Sequence, residues 1–119
     1  MKKILLLDDD KILTNLMKSY LEKNMFVVNV INNPDKLFET IKKIIPDVLI
    51  MDLMMPRIDG LSLLKKLRNS EFNELPVLII SAKNYKSTIL SCITAGASDF
   101  LPKPFTLDKL STTINGLVN

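Results

Sequence analysis

Asp8, Asp9 and Asp10 stand in a row after a short apolar run, and Asp52 closes a second such run. Farther along, Ser81 ends a third, and Lys103 stands between Pro102 and Pro104 just after a fourth. Carboxylates gathered in one place repel one another and resist leaving water, so a cluster of Asp8, Asp9 and Asp52 costs stability unless a cation offsets the charge. The chain has no histidine, and oxygen-only donors favour a hard ion. A few carboxylates completed by a carbonyl and waters suit Mg²⁺ better than a dedicated Ca²⁺ cage, with Mn²⁺ as a plausible substitute. A single aspartate at a strand end is most often a helix N-cap, and Asp10, next to a helical stretch, reads that way. Capping does not explain the set, which joins carboxylates from two strands with a hydroxyl and an ammonium.

Bringing those residues together is the task of the elements around them. Apolar runs rich in branched residues recur at 3–7, 26–31, 47–51, 77–80 and 99–101, each too short for a helix and each reading as a strand. Between them lie stripes at helical spacing: Leu13, Met17 and Leu21; Leu37, Ile41 and Ile44; Leu61, Leu64 and Leu67; Ile89, Ile93 and Ala97; Leu107, Leu110 and Ile114. Asn33 before Pro34, and Thr106 before Leu107, are helix starts; Gly96 reads as a C-cap, and Pro46 and Pro76 stop helices ahead of strands. Strict alternation predicts an α/β fold, (βα)5 and doubly wound, with a five-stranded parallel sheet covered on both faces. The wholly apolar strands 1, 3 and 4 belong in the centre, while Asn29 in strand 2 and Pro102 after strand 5 mark edges, which gives the order 2-1-3-4-5. In such sheets ligands bind beyond the carboxyl ends of the strands, where strand order reverses, and that is where Asp8, Asp9, Asp52, Ser81 and Lys103 fall.

Composition narrows the field further. At 119 residues, with 47% hydrophobic and 24% charged, the chain suits one folded domain over 1–119. The opening apolar run is too short for a signal peptide or a membrane span, so a cytoplasmic location is expected. Cys92, the lone cysteine, reads as a small buried hydrophobe, and the lack of histidine removes most zinc sites and His-dependent triads. The net charge of +3 comes from scattered pairs such as Lys2-Lys3, Lys42-Lys43 and Lys65-Lys66; without interleaved aromatics these are solvated helix faces, not a nucleic-acid site.

Four segments in order carry a resemblance: residues 4–10, 47–60, 76–82 and 96–105. Through them nearly the whole chain resembles the receiver domains of two-component response regulators, the flavodoxin-like, CheY-like fold. That resemblance implies a phosphoacceptor switch, not a turnover enzyme. Asp52 matches the acceptor; Asp8 and Asp9 match the acidic pair that with Asp52 and the Met54 carbonyl binds Mg²⁺; Lys103 matches the lysine that pairs with the phosphoryl group. Ser81 matches the conformational hydroxyl, with Ala82 leaving space beside it, and the Lys103-Pro104 bond is cis in relatives. Phe100 matches a switch aromatic, outward at rest and inward when Asp52 is phosphorylated. The implied donor is a sensor histidine kinase or a histidine phosphotransfer protein, and the implied output face is helix 4, strand 5 and helix 5, serving a downstream effector of unknown identity. Helix 4, residues 85–94, contains no acid, so charged-pair dimerisation is disfavoured and a monomer or weak dimer is expected.

Smaller expectations follow. Met25 stands where relatives often carry glycine, so Asn24 is expected to take the left-handed cap conformation. Met54 and Lys83 flank the acceptor without an evident group to orient water, which predicts slow self-dephosphorylation. Ile12, apolar at the solvent edge of helix 1, is a candidate kinase contact. No effector domain is expected within 1–119. A phosphorylation-independent interaction module, an aspartyl-phosphate phosphatase and a flavin-binding protein share parts of this pattern. The phosphatase reading would use Asp8 and Asp10 and leave the Asp52 motif unexplained, and three aspartates after strand 1 would repel a flavin phosphate.

Overall fold

Branched side chains fit a pleated surface and the striped segments fit a helix, so the alternation in the sequence becomes alternation in space. The computed structural model describes residues 1–118. Its main elements are β1 (Lys3–Leu7), α1 (Lys11–Lys23), β2 (Val27–Ile31), α2 (Leu37–Ile44), β3 (Val48–Asp52), α3 (Gly60–Arg68), β4 (Val77–Ser81), α4 (Lys86–Thr94), β5 (Asp99–Pro102) and α5 (Leu107–Val118). The five strands pair in parallel in the order β2-β1-β3-β4-β5, as the placement of apolar and edge strands predicts.

The sheet is covered on both sides, which is why its central strands have no polar alternation. On one face Leu5, Leu49, Met51, Val77 and Ile79 pack with Leu37 and Ile41 of α2, Leu64 and Leu67 of α3, and Cys92 of α4. On the other, Ile4, Leu6, Val48, Ile50, Leu78 and Ile80 pack with Met17 and Leu21 of α1 and Leu110 and Ile114 of α5. Each fully buried aliphatic side chain contributes about 1.5–3 kcal/mol relative to exposure, so truncating one such as Leu64, which has no exposed surface, costs about 2–5 kcal/mol. No helix among the described residues is long and apolar enough to cross a membrane.

Local chemistry sets the helix ends. Asp10 caps α1 by accepting from the Leu13 amide at 3.0 Å, Thr106 caps α5 through the Lys109 amide at 3.1 Å, and Asn33 accepts from Asp35. Asn33 opens a short 3-10 turn, Pro34–Lys36, and α2 begins only after it. Gly96, at φ 110°, closes α4: its amide reaches the Ile93 carbonyl and the Ala97 amide the Cys92 carbonyl. At the end of α1 the expectation is corrected. Asn24 keeps φ −98° and Met25 itself is left-handed at φ 71°. The reason is the same closing geometry: the Met25 amide bonds Glu22 and the Phe26 amide bonds Leu21, which puts the left-handed residue one past the cap. Phe26, expected in strand 2, lies outside β2 yet is buried, as the apolar partner of that closure. Ile45, also left-handed at φ 51° and largely exposed, was not foreseen, because nothing in its residue type favours that conformation.

Candidate functional site

Parallel strands deliver their carboxyl ends to one edge, and the three central strands end in acid, acid and hydroxyl. Asp8 follows β1, Asp52 ends β3, and Ser81 ends β4. Asp8 is 2% exposed, Asp52 6%, and Ser81 fully buried. The two buried carboxylates are held alike. Asp8 Oδ1 accepts from the Asp10 amide at 2.9 Å and Asp52 Oδ1 from the Met54 amide at 3.2 Å, so in each the second oxygen is left to face inward. Lys103 Nζ meets both inward oxygens, at 3.1 Å from Asp8 Oδ2 and 3.2 Å from Asp52 Oδ2. The exposed Asp9 completes the group: one carboxylate oxygen from each of Asp8, Asp9 and Asp52 lies within 4.8 Å of the others.

Three carboxylates against one ammonium leave negative charge in excess. Burial pushes the Asp8 carboxyl above its usual range, and the Asp52 charge adds to that; the Asp10 amide and the Lys103 ammonium oppose it. For Lys103, burial alone would lower the ammonium, but the hydrogen bond to Asp8 and the charges of Asp52 and Asp8 outweigh it and raise the pKa. The excess negative charge would favour a cation held among these oxygens. Hard, closely spaced carboxylate oxygens with part of the sphere open to solvent fit a small divalent ion that keeps some waters, so the donor set agrees with the Mg²⁺ or Mn²⁺ expected from the sequence.

The loop after β3 is organised more tightly than the sequence suggests. Met54–Met55 and Ile58–Asp59 pair as a two-stranded antiparallel ribbon, turned by Pro56 and a left-handed Arg57 at φ 65°, in the manner of a type II turn. Asp59 caps α3 by accepting from the Leu61 amide at 3.1 Å and the Ser62 hydroxyl at 2.9 Å. Gly60 is pressed against the backbone of Leu53, where a Cβ would meet the Leu53 carbonyl oxygen and lie 2.8 Å from its Cα. Only glycine lets the ribbon fold back so closely. Another contact was invisible beforehand: Asn32 Nδ2 donates to the Asp8 carbonyl at 2.6 Å, tying the β1 end to the segment after β2.

The remaining sequence candidates fall around this centre. Met54 is 57% exposed at the rim. Ser81 Oγ accepts from the Lys83 amide at 3.0 Å, the Lys103-Pro104 bond is cis, and Ile12 is 84% exposed on α1. Phe100 on β5 is half-buried and packs against the core beneath α2, α3 and α4, neither clear of the protein nor wholly enclosed. Leu13, Leu16, Ala82, Lys103, Pro104, Phe105 and Leu107 line a mostly apolar cleft of about 340 Å³.

Comparison with known proteins agrees with the geometry. Residues 4–115 match the family model of the response regulator receiver domain. The chain is similar to response regulator MprA of Mycobacterium leprae, with 35% identity over 116 residues, 98% of this chain and 50% of that protein. It is also similar to the transcriptional regulatory protein TrcR of Mycobacterium tuberculosis, 34% identical over 116 residues, 98% of this chain and 45% of that one. It thus spans about half the length of the curated relatives it matches. Among solved structures, the Francisella response regulator 1452 receiver domain superposes with a TM-score of 0.92 at 35% identity, over 99% of this chain and 97% of that one. The BeF3-activated N-terminal receiver domain of Klebsiella pneumoniae RstA gives 0.92 at 25% identity over 99% of each.

Proposed function

The chain belongs to the response regulator receiver domain family, and from that membership we propose that it is a switch in which Asp52 accepts a phosphoryl group from a phosphohistidine. The donor is a sensor histidine kinase or a histidine phosphotransfer protein. The observation that carries this reading is the shared ammonium: Lys103 bridges Asp8 and Asp52 with the Asp9 carboxylate alongside, a pocket built to hold negative oxygens close together.

The Met54 amide fixes one oxygen of Asp52 and orients the other for attack on phosphorus. As the new P–O bond forms, the P–N bond to the donor imidazole breaks and its electron pair leaves with the ring. Lys103, already in contact with the acceptor oxygen, offsets the charge on the phosphoryl oxygens. Asp8, Asp9, Asp52 and the Met54 carbonyl would hold Mg²⁺, or Mn²⁺ in its place, which supplies further charge neutralisation at those oxygens. Positioning and electrostatics suffice; the chain assists its own phosphorylation and slow dephosphorylation without turning over a separate substrate.

Ser81 links this event to the output face. Its hydroxyl oxygen accepts from the Lys83 amide while its own proton is free to be donated to a phosphoryl oxygen. Turning toward that oxygen releases the segment that leads into α4 and vacates space that the half-buried Phe100 ring can enter. The α4, β5 and α5 surface then presents a different shape to an effector of unknown identity, the chain itself being a monomer or weak dimer. Incubation with acetyl phosphate and Mg²⁺ followed by intact mass measurement tests the premise. Wild type should gain one phosphoryl group and Asp52→Ala none; an unmodified wild type, or equal labelling of both, overturns it.

A further inference from the structure

The peptide unit that joins Asp8 to Asp9 lies past the end of the sheet's regular pairing. The β1 register closes at Leu7, opposite Ile31 of β2 and Met51 of β3, and the Asp8 amide reaches the Ile31 carbonyl only at 3.4 Å. A side chain, not a strand, meets the Asp8 carbonyl: Asn32, the first residue after β2, donates to it from Nδ2 at 2.6 Å. Only the NH2 end of that side chain can face a carbonyl, because its other end is itself an acceptor. The Asp8 carboxylate is held separately, by the Asp10 amide and the Lys103 ammonium. What the Asn32 bond fixes is therefore the plane of the peptide between Asp8 and Asp9, and with it the orientation of one carboxylate relative to the other.

Asp9 is exposed, so backbone geometry more than packing decides where its carboxylate stands, and one of its oxygens falls within 4.8 Å of oxygens of Asp8 and Asp52. We propose that Asn32 is a positioning residue for the divalent cation: by holding the Asp8-Asp9 peptide in one orientation it sets both carboxylates to share an ion before the ion arrives. The inference rests on the reading of Asp8, Asp9 and Asp52 as metal ligands. The chemistry of the side chain suits the task. A neutral amide restrains the peptide without cancelling the negative charge that favours the ion. A lysine in its place would compete with the metal, and an aspartate would turn an oxygen toward the carbonyl oxygen. Loss of the bond leaves the peptide free to rotate, so that binding must order it. That cost equals about one net hydrogen bond, or an affinity weaker by roughly fivefold.

The test compares wild type with Asn32→Ala, with Asn32→Leu, which removes the donor at similar size, and with Asn33→Ala. The last loses a hydrogen bond of the same segment, from the Asp35 amide at 2.9 Å, and leaves the Asn32 side chain in place. Backbone-amide NMR titration with Mg²⁺ at fixed pH and ionic strength gives the dissociation constants, and circular dichroism in chelator gives the Tm of each protein. A merely structural role for Asn32 would lower Tm and move no dissociation constant. The expected result is a Kd for Mg²⁺ raised roughly fivefold in both Asn32 variants and unchanged in Asn33→Ala, whatever the order of their Tm values. Two results overturn the proposal: an unchanged Kd in a folded Asn32 variant, or an equal weakening in Asn33→Ala. Failure of wild type to take up Mg²⁺ is a separate outcome, which removes the metal-site reading and this inference with it.

Discussion

Replacing Asp9 by Asn removes one negative charge at almost constant volume and leaves both carboxylates that contact Lys103 in place. Two unit charges 4.8 Å apart, the outer limit among the three carboxylates, repel by about 0.9 kcal/mol in water and about 3.5 kcal/mol at an effective dielectric of about 20. Asp9 is exposed, so the lower figure governs, and salt reduces it further. Its two repulsions, with Asp8 and Asp52, sum to about 2 kcal/mol, and the lost attraction to Lys103 returns roughly half of that. The metal-free variant should therefore be more stable than wild type by about 1 kcal/mol, a rise of about 4 °C in Tm for a chain of this size. Thermal unfolding by circular dichroism in low-salt buffer with chelator reads this directly. Adding Mg²⁺ should reverse the ranking, because a ligand at a hundredfold excess over its Kd stabilises wild type by about 2.7 kcal/mol and the variant has lost a ligand oxygen. A metal-free Tm at or below that of wild type, or an equal Mg²⁺-induced rise in both proteins, would refute the electrostatic account of the site.

The same site predicts a pH dependence. Burial raises the Asp8 carboxyl in the native chain, so its ionised form is unfavourable to the native state above that raised pKa, and the penalty disappears as pH falls below the unfolded value. Mg²⁺ must displace that proton, hence apparent affinity should weaken as pH falls through the raised Asp8 titration, with proton release on binding visible in calorimetry across buffers; a flat profile counts against it. Ile45→Gly should raise the urea midpoint by the equivalent of about 1 kcal/mol, since a left-handed β-branched residue is strained and this one is 75% exposed; a lowered midpoint would mean that its side chain packs more than its exposure indicates. Cys92 is buried, and burial followed by the charge of Asp59 pushes its thiol up, so it should resist a disulfide reagent until the chain unfolds; rapid native labelling would contradict this.

Much of this architecture is legible from local pattern. Short branched runs and helical stripes give the order of elements, and Asn29 and Pro102 mark the edge strands because an edge tolerates a polar side chain or a missing amide. Asp8, Asp52 and Ser81 could be placed at one sheet edge before any coordinates, since parallel strands must end together. Asp10 and Thr106 as caps, and Gly96 as a left-handed terminator, were readable for the same reason: their partners lie within a few residues. The Met25 correction and the left-handed Ile45 were not, because backbone closure and the following strand impose those conformations against residue preference.

What only the tertiary structure decides is who touches whom across the chain. Lys103 is separated from Asp8 by 95 residues and from Asp52 by 51, and no local periodicity states that one ammonium lies at 3.1 and 3.2 Å from both. The Asn32 tie to the Asp8 carbonyl and the Met54 to Asp59 ribbon held by Gly60 against Leu53 are of the same kind. Sequence determines which chemical groups are available and at which strand end they emerge; packing of the two helical layers on the twisted sheet fixes the ångström-scale distances, and electrostatic interaction depends on those distances.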